Sequence, residues 1–263
     1  MDDTRADPVG STIAGSAADL LAAKANQPWM RMLVLACFAG AFIAFGSVIS
    51  MVVQSGLDGG YAGGTVKLLS GLAFSAGLIM VMVVGAELFT GNTMMTLPAM
   101  TGALPASAMM RAWLLVWAGN LIGSVAAVLL YFMAGGLEGG VGAASRSMVE
   151  EKLNKSALAI FCSAILANML VCLAVWMSMS APTLPAKILA IVGPVTIFVP
   201  AGLEHSIANM SIIPLGWLSM PAEGVAVAAG ALNLLVSSLG NVVGGSLLAL
   251  GLAFGHGALG RDG

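Results

Sequence analysis

Apolar stretches long enough to cross a bilayer, at about 20 residues each, recur six times along the chain, near 30–55, 66–97, 109–136, 156–180, 186–219 and 226–254. Inside lipid every backbone polar group must be paired within the protein, so six separated runs of this length predict six membrane-spanning helices. The composition fits such a solvent, with 59% hydrophobic and 8% charged residues and a mean hydropathy of +0.99. The first span follows a polar segment carrying Asp2, Asp3, Asp7, Asp19 and Lys24, unlike a cleavable signal peptide. Residues 1–28 are therefore expected to form a surface arm, 29–255 the spanning domain and 256–263 a short tail.

Six spans place both termini on one side, and the basic residues suggest which. Arg111 and Lys187 occupy the loops after spans two and four without an acid, whereas Asp58, Glu138, Glu150, Glu151 and Glu223 fall on the opposite side. That favours cytoplasmic termini in a cytoplasmic membrane, although Lys67, Arg146, Lys152 and Lys155 lie on the acidic side. Cys37, Cys162 and Cys172 fall within spans without CxxC spacing and read as small core residues.

The two halves resemble each other. "FAGAFIAFG" at 38–46 matches "FCSAILANM" at 161–169, "ELFTGN" at 87–92 matches "EHSIAN" at 204–209, and "GNLIG" at 119–123 matches "GNVVG" at 240–244. Three matches in order and at similar separation predict a duplicated three-helix unit, about 29–136 and 152–255. Because three is odd, the units cross the membrane in opposite senses, which makes an inverted repeat. The fold expected is an all-α membrane protein of six helices in an inverted 3+3 arrangement.

The second helix of each unit holds Glu, an Asn five residues later and a proline beyond: Glu87, Asn92 and Pro98, then Glu204, Asn209 and Pro214. With glycines beside them, these polar groups predict that helices two and five are interrupted, and irregular backbone at membrane depth belongs beside a cavity or inside protein. Glu87 and Glu204 read as loop-stabilising acids that accept hydrogen bonds from freed backbone, rather than as substrate ligands. Asn92 and Asn209 share that role.

His205 lies at the second break. A lone core histidine is most often merely satisfied, but at a break it can donate to an anion or exchange a proton near neutral pH. His256 lacks that context. Thr90 at the first break can face the path or cap the next half-helix. Lys152, like Lys155, precedes the fourth span, either as an interfacial lysine or as one that gathers anions. Asn168 lies sixteen residues beyond Lys152, about 24 Å along a straight helix. Phe74 and Leu78 share a helix face and fit an apolar core, as do the 18 methionines.

"GLAFSAGLIMVMVVGAELFTGNTMM", "ANMLVCLAVWMS" and "GLEHSIANMSIIPLG" together resemble the formate/nitrite transporter family, over nearly the whole chain. The resemblance implies an aquaporin-like fold, a homopentamer and a path through each protomer for small monovalent anions or their acids. It implies that Phe74, Leu78, Leu88 and Phe198 form apolar constrictions and that Thr90 pairs across the path with His205. It places Lys152 in a vestibule with Asn168 facing the same pocket. The chain departs from the family string GFEHS at Leu203. It implies no cofactor, and partners limited to anion, proton, lipid and like protomers, without nucleic acid. The GNT form of the loop, with Asn92, resembles formate members more than the GHT form of nitrite members.

An aquaporin-like neutral-solute channel is the competing class, but no NPA pair is present. A membrane enzyme would need clustered ligands or a nucleophile with its base, which two scattered histidines and two separated glutamates do not supply. No span carries the arginine series of a voltage sensor.

Overall fold

A computed structural model describes residues 10–57 and 63–259. Asp2, Asp3, Asp7 and Asp58, named above, lie outside the described residues. Those described are helical, with no strand among them. Helix α1 spans Gly10–Ala25, α2 Trp29–Leu57, α3 Gly63–Val84, α4 Phe89–Asn92, α5 Thr96–Met100, α6 Ala106–Met133, α7 Gly140–Leu153, α8 Ala157–Ser180, α9 Leu184–Phe198, α10 Ser206–Leu218 and α11 Val227–Gly255. Five of them, α2, α3, α6, α8 and α11, are long and apolar enough to cross a bilayer; α9 and α10 are apolar but shorter.

The helix ends follow from local chemistry. Ser156 Oγ accepts from the Ala159 N–H and Thr183 Oγ1 from that of Ala186, capping α8 and α9. Gly85 follows the end of α3 and Gly202 lies beyond α9; their φ angles of 75° and 63° lie in the left-handed region that glycine adopts without strain. Past each glycine the chain is held in the same way. The Ala86 N–H donates to Val81 O at 2.9 Å, and that of Leu203 to Phe198 O at 3.3 Å.

Helices α2 and α6 pack tightly, as do α8 and α11. The cause lies in "GNLIG" and "GNVVG". A Cβ on Gly123 would overlap the Cys37 carbonyl oxygen, and one on Gly244 that of Ile165. Small residues four apart let membrane helices approach backbone to backbone, where van der Waals contact rather than water drives association. Asn120 and Asn241, one residue past the first glycine of each string, are thereby pressed fully buried against the neighbouring helix.

Two elements differ from the sequence reading. The arm expected on the surface is in part a packed helix: Ala14, Ala17, Leu21 and Ala25 of α1 are buried, and α1 contacts α5, α8 and α11. Helix α7 is the second, because its stretch of glycine, serine and charged residues carries too little apolar bulk to announce a packed helix. It packs through Ser145 and Val149, which are buried, against α2 and α10.

Candidate functional site

The segment before α4 and the segment before α10 are each organised around a buried carboxylate. Glu204 accepts from Lys152 Nζ at 3.0 Å and Asn209 Nδ2 at 2.7 Å through Oε2, and from Lys155 Nζ at 2.7 Å through Oε1. Glu87 accepts from Lys24 Nζ at 3.2 Å and Asn92 Nδ2 at 2.9 Å through Oε2, and from Gln27 Nε2 at 2.9 Å through Oε1. A carboxylate removed from water persists only when its lone pairs are met in this way. Burial pulls the Lys152 ammonium below the usual lysine range, and the adjoining Glu204 carboxylate opposes that pull.

Asn120 and Asn241 clamp the backbone beside each acid. Asn241 Nδ2 donates to Ala164 O and Glu204 O, and its Oδ1 accepts from the Ser206 N–H. Asn120 makes the matching contacts to Ala36 O, Glu87 O and the Phe89 N–H. In the sequence these asparagines are only markers of similarity between the halves. Their function is hidden there because their partners are main-chain groups, which leave no residue signature.

The clamps set His205 at the N-cap of α10, where Nδ1 accepts from the Ala208 N–H at 3.1 Å. A backbone N–H only donates, so the neutral ring carries its proton on Nε2. That nitrogen lies 2.9 Å from Thr90 Oγ1, which brings the starts of α4 and α10 into contact. The residue at the matching cap of α4 is Leu88, which offers no side-chain bond. Thr90 carries more than its hydroxyl: its carbonyl accepts from Thr93 Oγ1, Asn168 Nδ2 and Cys172 Sγ.

A cavity of about 110 Å³ reaches His205 from the α7 side. Lys152, Lys155, Lys67 and Glu151 line it, with Ser47, Ser50 and Ser70, and so do Phe74, Phe198 and His205. The two phenyl rings meet edge to face with centroids 5.3 Å apart, and the Phe198 ring lies 5.9 Å from the imidazole. Leu203 also lines the cavity. Leu78 and Leu88 are buried but do not line it.

Asn168 stands elsewhere than the resemblance implied. It is fully buried and does not line this cavity; Nδ2 donates to Thr90 O, Thr93 Oγ1 and Asn241 O at 2.6 to 3.1 Å. Nor does a straight helix join it to Lys152, because α7 ends at Leu153 and α8 starts at Ala157. The amide joins the Thr90 carbonyl to that of Asn241 in α11.

Among the described residues, no group of three or more His, Cys, Asp or Glu side chains could hold a metal ion. What the assembled groups offer is cationic side chains, two phenyl rings in edge-to-face contact and an imidazole N–H beside them.

Comparison with known proteins bears on the same features. The family model described as Formate/nitrite transporter matches residues 11–255. The chain is 34% identical over 251 residues to the formate channel FocA of Escherichia coli K12, covering 88% of this chain and 87% of that one. It is 33% identical over 243 residues to the nitrite transporter NirC of the same strain, covering 92% and 88%. A solved pentameric formate channel with formate bound superposes with a TM-score of 0.78 at 33% identity, covering 86% of this chain and 96% of that one. With a match over nearly its whole length and the fold shared, this integral membrane protein belongs to the formate/nitrite transporter family.

Proposed function

We propose that the chain passes a small monovalent weak-acid anion, formate first, across the cytoplasmic membrane, coupled to a proton or passively along its gradient. The observation that carries this reading is the His205–Thr90 hydrogen bond at the end of a lysine-bearing vestibule, behind the edge-to-face Phe74 and Phe198 rings. The names of the FocA relative and the formate-bound neighbour support formate. The NirC relative supports nitrite as the second reading, with hydrosulfide as a further small anion.

The architecture is read as six spans. The fifth consists of α9 and α10 on either side of the break, and the second of α3 with α4 and α5. The matched Glu, Asn and Gly contacts support an inverted 3+3 repeat, and the pentameric neighbour supports a homopentamer of like protomers. Arg111 and Lys187, near the starts of α6 and α9 rather than in loops, support cytoplasmic termini.

A bare anion cannot pass the apolar rings without a large desolvation cost, whereas its neutral acid can. Two routes supply the proton: His205, or water at a point where low dielectric raises the anion's own pKa. The cap favours water. Protonating Nδ1 would turn an acceptor into a donor facing the Ala208 N–H, so the ring is held neutral and acts as an Nε2–H donor that orients the passing acid. Leu78, Leu88, Phe74 and Phe198 are the constrictions, and Lys152 gathers anions.

The test is uptake of labelled formate into proteoliposomes, with and without an inward proton gradient, against unlabelled nitrite or hydrosulfide. Gradient-stimulated uptake that nitrite barely inhibits supports formate. Strong displacement by nitrite or hydrosulfide, or no formate uptake, overturns that substrate.

A further inference from the structure

The two carboxylate sites correspond more closely than the repeated strings suggest. Lys24 precedes Lys152 by 128 residues, and Gln27 precedes Lys155 by the same 128. Each first member bonds Oε2 of its glutamate and each second member Oε1, with distances differing by 0.2 Å in both cases. Helix ends keep the same register, since α1 ends at Ala25 and α7 at Leu153, while α2 begins at Trp29 and α8 at Ala157. Helices α1 and α7 are thus counterparts, each setting a lysine on a buried acid.

One atom type breaks the correspondence. The second donor is a neutral amide at position 27 and an ammonium at position 155. On the α1 side, Lys24 balances Glu87; on the α7 side, Lys152 and Lys155 outweigh Glu204 by one positive charge. The other described charges lie at or near the surface: Asp19, Arg31, Arg111 and Lys187 on the α1 side, and Lys67, Glu138, Arg146, Glu150 and Glu223 on the α7 side. Their sum opposes the difference between the clusters, but water and salt screen them far more than the buried groups. Glu151 lies 3.9 Å from Lys155 but is 69% exposed, so water and salt screen it far more than the buried cluster.

We infer that residues 27 and 155 are specificity-determining residues that make anion capture unequal at the two ends of the path. This rests on the transport reading above. A passive path obeys detailed balance, so the inequality cannot appear as a net one-way flux at equal concentrations. It appears in the concentration that half-saturates entry from each side, lower at the α7 mouth. One unit charge roughly 8 Å from the anion, at a dielectric between that of water and a protein surface, gives about a three- to tenfold difference, shrinking as salt is added.

Glutamine already serves this bond at position 27, so Lys155→Gln keeps a donor to the acid while removing the charge. Gln27→Lys does the reverse.

The experiment measures zero-trans uptake of labelled formate, and of nitrite, into proteoliposomes of fixed protein orientation. The wild type, Gln27→Lys, Lys155→Gln and the double swap are compared at low and high ionic strength. Half-saturation is expected at about three- to tenfold lower anion on the α7 side in the wild type. Each single variant should reduce that ratio, and the double swap should invert it, with all ratios tending to one in high salt. A ratio that ignores both residues, or that persists unchanged in high salt, overturns the inference and leaves transport standing. Wild-type protein that carries neither anion overturns the transport reading instead.

Discussion

Replacing Asn241 with alanine tests whether the break at 199–205 is held by its clamp. The side chain is fully buried and makes three bonds: Nδ2 to Ala164 O at 2.8 Å and Glu204 O at 3.1 Å, and Oδ1 from the Ser206 N–H at 2.8 Å. Truncation orphans a buried backbone donor at the first residue of α10, a loss of about 1–3 kcal/mol. The two carbonyls lose less, about 0.6 kcal/mol each by the average for interhelical bonds in membranes. The sum is about 2–4 kcal/mol, or a thermal midpoint in detergent lower by about 5–12 °C for a chain of this size. Asn120→Ala should fall equally, because its contacts match bond for bond. Ser124→Ala is the control: it removes a single 3.1 Å bond to Gly40 O and should cost under about 1 kcal/mol. The assay is a melting curve on purified protein, with uptake measured in parallel. Asn241→Ala melting with Ser124→Ala would refute the clamp.

His205→Asn should retain the fold and lose most uptake at every pH, since its shorter side chain cannot both cap α10 and reach Thr90 as the donor that orients the acid; uptake equal to that of the wild type would take the imidazole out of the mechanism. Lys152→Met should destabilise by about 3–5 kcal/mol by leaving part of the Glu204 charge unmet. Adding Glu204→Gln should restore most of that in a double-mutant cycle, and no recovery would mean that the pair is not coupled. Gly244→Ala should force α8 and α11 apart at the Ile165 carbonyl, whereas Gly251→Ala meets nothing within 4 Å and should be neutral. Equal melting of the two glycine variants would contradict the close helix approach.

Much is legible in the chain because membrane insertion and similarity between its halves both leave marks in the sequence. Apolar length announces spanning helices, since lipid admits no unpaired backbone. Similarity between "ELFTGN" and "EHSIAN" aligns Glu87 with Glu204, and each accepts from a lysine and an asparagine in the folded chain. His205 and Thr90 stand out because polar side chains are costly in apolar runs. The arm is harder to read. Helix α1 looks like a surface segment by composition, and only its contacts reveal Lys24 and Gln27 as partners of Glu87.

What folding alone decided is the pairing of groups far apart in the chain. Thr90 and His205 are separated by 115 positions, yet their side chains meet at 2.9 Å. No local pattern encodes that distance. It depends on glycines that bring helix backbones together, on asparagines that bond main-chain atoms, and on the packing of α8 that sets Asn168 onto the Thr90 carbonyl. Sequence dictates which groups resist burial, because their desolvation cost is a property of the residue; packing dictates which partner offsets that cost, because hydrogen bonds depend on geometry that only the assembled helices fix.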